Sequence, residues 1–466
     1  MKAPVSRHGR FRTPAVLAAG LVALVCAACA IYLKQVKEAR DDLAQGRYEE
    51  ALQSLEKNQK KGSLLYLMEK GLVLHYAGRY EESNQLLEEA ELLMDDLYTK
   101  SLSAELASLL TSDRVLGYAG EDFEGVMLNY YKALNYLFLG EEQEAVVECR
   151  RVGEKLQLFL DSRGGDHHYK SDAFMEALTG VIYEGAGEVN DAFISYRKAE
   201  EAFGRYEDLY GVSAPKWLGE SLVRTAGRLR FREELAFYRD RYGDPAPGTA
   251  SSDGQVILLF ESGFIPYKEE VTINLPIFDD DDPSNVTVFA PVLAERHGVV
   301  VVSGHKVDYW LKVALPRYAD VPPATARAYL TCRDTGEPYE ARAAKVEDLE
   351  ALARKTLESE YHKILLKSIA RALTKYLASK GIEKKAGETA GWIADLVGVA
   401  TENADTRSWL TLPREIHMAV LDIPPGDYEA EVEVVGPHGG VLARVPLGQV
   451  SVRAGGNSYL RYRYYG

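Results

Sequence analysis

The 466-residue chain predicts an α+β multidomain protein, with an N-terminal α-helical repeat array and a C-terminal β-sandwich-like domain that carries a helical insertion. Three observations predict it. A glycine-centred phrase recurs four times in the first half. Residues 243–254 are rich in Gly, Pro, Ala and Ser, as a linker is. Beyond them the apolar pattern changes from a helical period to two-residue alternation. The predicted organisation is therefore a signal peptide or membrane anchor over 1–33, repeats over 34–242, a linker over 243–254 and a β-rich domain over 255–466, with a helical insertion at about 346–403.

The N-terminus comes first. Lys2, Arg7, Arg10 and Arg12 precede the apolar run Pro14–Leu33. Basic residues stay on the cytoplasmic side of a membrane, so the remainder should be exported. Three fates follow for the run. It is cleaved before a lipidated Cys29, or retained as a single spanning helix of about 20 residues, or cleaved after Ala28-Cys29-Ala30 to release a soluble protein. Cys26-Ala27-Ala28-Cys29 resembles a bacterial lipobox, with Cys26 where an aliphatic residue is usual. The first two fates place the remainder in a bacterial envelope, tethered to a membrane and facing the periplasm.

The repeated phrases begin at Gly46, Gly78, Gly140 and Gly187. In each, a glycine ends one helix, polar residues open the next, and Ala51, Ser83, Ala145 or Ala192 supplies a small residue five positions on. Gly180, Tyr183, Gly187, Ala192, Tyr196 and Ala199 fall where the tetratricopeptide repeat places its packing residues, and Gly71, Leu74, Gly78, Ser83, Leu87 and Ala90 repeat that order. The resemblance covers about 34–240, with an irregular period: 32 residues from Gly46 to Gly78, 47 from Gly140 to Gly187. Arrays of this kind bind other proteins on a curved surface. Tyr118, Phe123, Tyr130, Tyr131 and Tyr136 cluster between the second and third phrases. Each is read as core packing or as part of a groove gripping a partner segment.

After the linker, strands are expected at Val256–Glu261, Glu270–Leu275, Val286–Ala290, Val299–Ser303 and Tyr309–Leu315. Helices follow at Val346–Ala378 and Thr389–Asn403, then strands at His417–Leu421, Tyr428–Val435, Val441–Val445, Gln449–Arg453 and Tyr459–Tyr464.

Composition narrows the chemistry. A net charge of −15 argues against nucleic acid, whose binders carry a basic stripe. No P-loop, dinucleotide fingerprint, nucleophile elbow or His-Glu-x-x-His occurs, so neither a cofactor nor a metal is expected. His167-His168 reads as a polar linker and Asp279–Asp282 as a solvated loop. Cys149 is expected as a buried thiol, with a Cys149–Cys332 disulfide the alternative. Glu402, Asp405, Arg407 and Trp409 form a polar-aromatic knot, read as an Arg–carboxylate clamp or as a ligand pocket.

Several phrases together resemble a poorly characterised family of bacterial envelope lipoproteins that carry tetratricopeptide-like repeats and a C-terminal β-rich domain. They are Tyr118–Glu124, Asn129–Tyr136, Ala145–Arg151, Glu261–Lys268 and Ala404–Pro413. The resemblance implies an envelope location and no catalytic residues. The expected function is a non-enzymatic membrane-tethered scaffold or adaptor, binding a protein partner through the helical groove. One alternative is an envelope receptor that binds glycan or peptidoglycan through the β-rich domain. The other is an enzyme with a site near Glu402, Asp405 and Arg407.

Overall fold

The computed structural model describes residues 36–58, 60–103, 117–162, 168–243, 253–278, 307–322, 326–386 and 403–466. The expected signal or anchor over 1–33 with Cys26 and Cys29, His167, Asp279–Asp282, Glu402, the segments expected as strands at 286–290 and 299–303, and all but the last residue of the helix expected at 389–403 lie outside them.

Helices come in antiparallel pairs: α1 (36–44) with α2 (Tyr48–Asn58), α3 (Leu64–Tyr76) with α4 (Tyr80–Ser103), α5 (Asp122–Leu139) with α6 (Glu142–Ser162), and α7 (Ala173–Gly185) with α8 (Val189–Tyr210). Gly46, Gly78, Gly140 and Gly187 make the four turns, all in left-handed backbone with φ between 70° and 80°. Each turn closes alike. The glycine N–H donates three residues back and the next N–H five residues back, as in Gly78 to His75 and Arg79 to Leu74. A fifth pair, α9 (Lys216–Leu229) with α10 (Arg232–Tyr242), was not expected as a repeat. Its turn has the same bonds, Arg230 to Gly227 and Phe231 to Ala226, but its left-handed residue is Arg230 at φ 60°.

Burial divides the helices into an inner and an outer set. On the inner set, 12 of 13 residues of α3, 15 of 18 of α5 and 11 of 13 of α7 are buried. Outer α8 buries 9 of 22 and α10 only Tyr238. Helices buried all round must have packing on both sides. The outer helices cover one side; strands cover the other.

The strands are β1 (Gly254–Ser262), β2 (Lys268–Phe278), β3 (Val307–Tyr318), β4 (Arg327–Arg333), β5 (Tyr339–Arg342), β6 (Ala344–Asp348), β7 (Glu415–Ile423), β8 (Gly426–Val435), β9 (Val441–Val452) and β10 (Asn457–Tyr464). One sheet has the order β10-β1-β7-β6, a second β5-β4-β8-β9, and β2 pairs with β3 as a hairpin. Every residue of β1 is buried. Val256, Leu258 and Phe260 pack on Leu330, Val432 and Val450 of the second sheet. Ile257 and Leu259, on the opposite face, belong to the same core as the inner helices. Burial on two faces is why β1 reads as a continuous apolar run.

The expected helix from Val346 begins at Leu349, because Val346 lies in β6 and Asp348 stops the strand by accepting the Ala351 N–H at 2.9 Å. This helix, α11 (Leu349–Ala386), packs Ala372 against Leu311 and Val313 of the hairpin. The two strands expected at Val441–Val445 and Gln449–Arg453 are one, β9. A register shift opposite Ala430/Glu431 accommodates Pro446, which an edge strand tolerates.

Candidate functional site

The inner face of the helical array is where a partner segment would be expected, and it is occupied by the chain itself. Residues 409–412 and strands β1 and β10 lie against it. Glu69 of α3 accepts the backbone N–H groups of Leu410 and Thr411, at 2.9 and 3.2 Å, and the Thr411 hydroxyl. Glu124 of α5 accepts the Trp409 N–H at 2.7 Å and the Tyr118 hydroxyl at 2.6 Å. It also closes a capping box with Glu121 at the start of α5. Burial pushes both carboxyls up, each to about 7. At Glu69 the bonds to residues 410 and 411 pull against that rise. At Glu124 the charge of Glu121 adds to it.

A second contact joins α3 and α5 to the sheet. Glu261 of β1 accepts the hydroxyls of Tyr76, Tyr131 (2.9 Å) and Tyr130 (3.3 Å). Arg463 of β10 donates to the Tyr76 hydroxyl at 2.7 Å and to the Thr411 carbonyl at 2.8 Å. Arg461 donates to the His75 and Tyr76 carbonyls at the C-terminal end of α3, where a cation is favoured. Its guanidinium also lies 5.4–5.9 Å from the rings of Tyr76, Tyr80 and Phe138. Further along, Asn457 donates to the Val181 carbonyl of α7 at 2.7 Å, and Arg224 of α9 bridges Glu184 and Asp422 of β7.

Of the aromatic residues singled out in the sequence, Phe123, Tyr130 and Tyr131 are fully buried and Tyr118 and Tyr136 partly so. In this structure Phe123, Tyr130 and Tyr131 are core between helices and strands, not the wall of an open groove. Burial and the Glu261 charge hold the Tyr130 and Tyr131 hydroxyls well above their ordinary range. Glu69, Glu124, Glu261 and Arg463 were not anticipated. For Glu69 the available signal was the composition of α3, apolar on every side with a single acid, which a helix facing water on one flank would not show.

Asp405 and Arg407 pair in bidentate fashion at 2.9 and 2.7 Å, while Glu402 lies outside the described residues. Burial alone would raise the Asp405 carboxyl; Arg407, with Lys268 nearby, outweighs it and holds the group low. The guanidinium lies 5.4 Å from the Tyr118 ring, so the pair abuts the segment leading into α5. Trp409 is fully buried. It donates its indole N–H to Thr411 at 3.0 Å and packs toward Tyr131, away from solvent. Cys149 and Cys332 are both free and sit in different cores, so the alternative of a disulfide between them is corrected.

No group of three or more His, Cys, Asp or Glu able to hold a metal occurs among the described residues. Among the same residues, no helix is long and apolar enough to cross a membrane.

No family model matches the chain, and no curated protein matches it. Solved structures similar to it include MamA and a set of TPR-like repeats. MamA is 14% identical, with a TM-score of 0.28, over 43% of this chain and 90% of its own. MamA from Desulfovibrio magneticus RS-1 is 15% identical, with a TM-score of 0.28, over 46% of this chain and 93% of its own. The nearly identical TPR-like repeats of a Podosopora anserina kinesin light chain are 17% identical, with a TM-score of 0.29, over 45% of this chain and 92% of their own.

Proposed function

We propose that the protein is a non-enzymatic, membrane-tethered scaffold of a bacterial envelope that binds a protein partner. The tandem array of helix pairs carries this reading. Such arrays bury their core between neighbours and present an extended surface for binding. With the inner face filled by the chain's own strands, the surface left for a partner is the outer helices and the rim where helices meet sheets. The basic residues before Pro14–Leu33 support export, and Cys29 supports a lipid anchor.

Two measurements test the reading. Mass spectrometry of the mature N-terminus should find a lipidated Cys29, and Cys29→Ser should move the protein out of the membrane fraction. Affinity purification of the detergent-solubilised full-length protein from its own cells should recover a partner in comparable amount. Recovery of none removes the scaffold reading. Deleting residues 34–240 is not a usable control, because it takes away half of the core that the first sheet packs on.

A further inference from the structure

An open cleft of about 770 Å³ lies between the start of α9 and the strands β5, β6 and β7. That is the size of a site for a small ligand or a short peptide segment. Four observations on it converge.

The first is charge. The chain carries −15 overall, yet the cleft is lined by Lys216, Arg224, Arg327, Arg342 and Lys345 against Glu220, Glu340 and Asp422. Lys216 is paired with Glu220, Arg224 with Glu184 and Asp422, and Lys345 with Asp348 and Glu415. Arg327 and Arg342, both exposed, form no salt bridge among the described residues. The second is spacing. Tyr329 of β4 pairs with Arg342 of β5, so Arg327 is the diagonal neighbour of Arg342 on the same face, about 7–8 Å away. Acidic side chains two apart on an extended strand are about 6.5–7 Å apart and share a face.

The third is the helix end. Pro215 caps α9 without a side-chain acceptor, and the first turn has no acid. Ser63 and Asp172 supply such acceptors at α3 and α7. The first turn of α9, with its dipole and no side-chain cap, favours negative charge at this wall. In the same turn Trp217 is buried, and its indole N–H has no partner among the described residues. The fourth is the sheet edge. β5 ends its sheet, so among the described residues its outer side has no ladder partner, which is where an extended segment adds.

We propose that this cleft binds an extended acidic segment of a partner protein. The segment lies along β5, with alternate carboxylates on Arg327 and Arg342 and the start of α9 as a further anion-favouring wall. This inference rests on the scaffold reading and gives it a partner site.

The test uses the detergent-solubilised full-length protein and a fluorescent eight-residue peptide alternating glutamate and threonine, read by anisotropy. Saturable, salt-sensitive binding is expected. It should weaken about tenfold or more in Arg327→Glu/Arg342→Glu, persist in Arg327→Lys/Arg342→Lys, and be absent for the same peptide with lysine in place of glutamate. The lysine variant separates loss of charge from loss of fold. No binding, or binding indifferent to the double reversal, overturns the proposal. So does a cleft that takes inorganic phosphate but no acidic peptide. In cells, a partner held equally by the wild type and by Arg327→Glu/Arg342→Glu overturns the cleft and leaves the scaffold standing. Intact peptide binding with no cellular partner overturns the scaffold reading and, with it, the assignment of the cleft to a partner protein.

Discussion

Replacing Glu69 tests whether residues 409–412 are held on the helical array by a buried acceptor. The carboxylate takes three donors from residues 410 and 411, all buried. Glu69→Ala strands them, at about 1 kcal/mol or more each, so the loss is about 3 kcal/mol. That is a large share of the roughly 5–15 kcal/mol that holds a typical native fold. Urea unfolding followed by circular dichroism reads it as a lower midpoint with an unchanged slope. The proton gives a second handle. Burial raises the folded carboxyl from its ordinary 4.5 to about 7, so between those values the folded state binds more protons than the unfolded. Stability from this group is therefore fully present below about pH 4.5 and lost as pH rises through about 7, a change of about 3 kcal/mol. Glu124 acts in the same direction. Glu69→Gln, which cannot ionise, should flatten the slope between pH 4.5 and 7. A loss under 1 kcal/mol in Glu69→Ala would refute the acceptor role. A Glu69-dependent slope that rises with pH would refute the dominance of burial.

Three further outcomes are expected. Arg230→Gly should raise stability by about 0.5–1 kcal/mol, since it removes left-handed strain from a side-chain-bearing residue at some entropic cost in the unfolded chain; a lower urea midpoint would contradict it. Arg407→Ala should cost about 1 kcal/mol, because the pair is roughly a quarter exposed. It should also shrink the stability that the lowered Asp405 carboxyl provides above its ordinary pKa and loses as pH falls. A loss above 3 kcal/mol would show that more than this one partly exposed pair is at stake. Cys149 and Cys332 should resist a thiol reagent in the folded protein and react on unfolding. Burial pushes their thiols up to about 12 and about 11. Labelling of either in native protein, located by mass spectrometry, would contradict their placement.

The helix pairs were legible because their determinants are local. A glycine that supplies left-handed backbone and a small residue five positions on mark the turn within six residues of chain. The fifth pair escaped for the same reason: Arg230 makes the turn of a glycine without being one, and only the backbone records it. Strands β1, β7, β8 and β10 were legible from apolar patterning. β4, which alternates as clearly, was not among the strands proposed.

What covers the inner helices was a tertiary matter. The apolar faces of α3, α5 and α7 require a cover, but an external peptide and the protein's own sheet meet that requirement equally well. Glu69, Glu124 and Glu261 look in sequence like ordinary surface acids. They are buried because donors arrive from segments 130 to 342 residues away. Composition and local pattern determine that a helix forms and which side is apolar. The identity of the surface that meets it depends on contacts between distant segments, which leave no local mark.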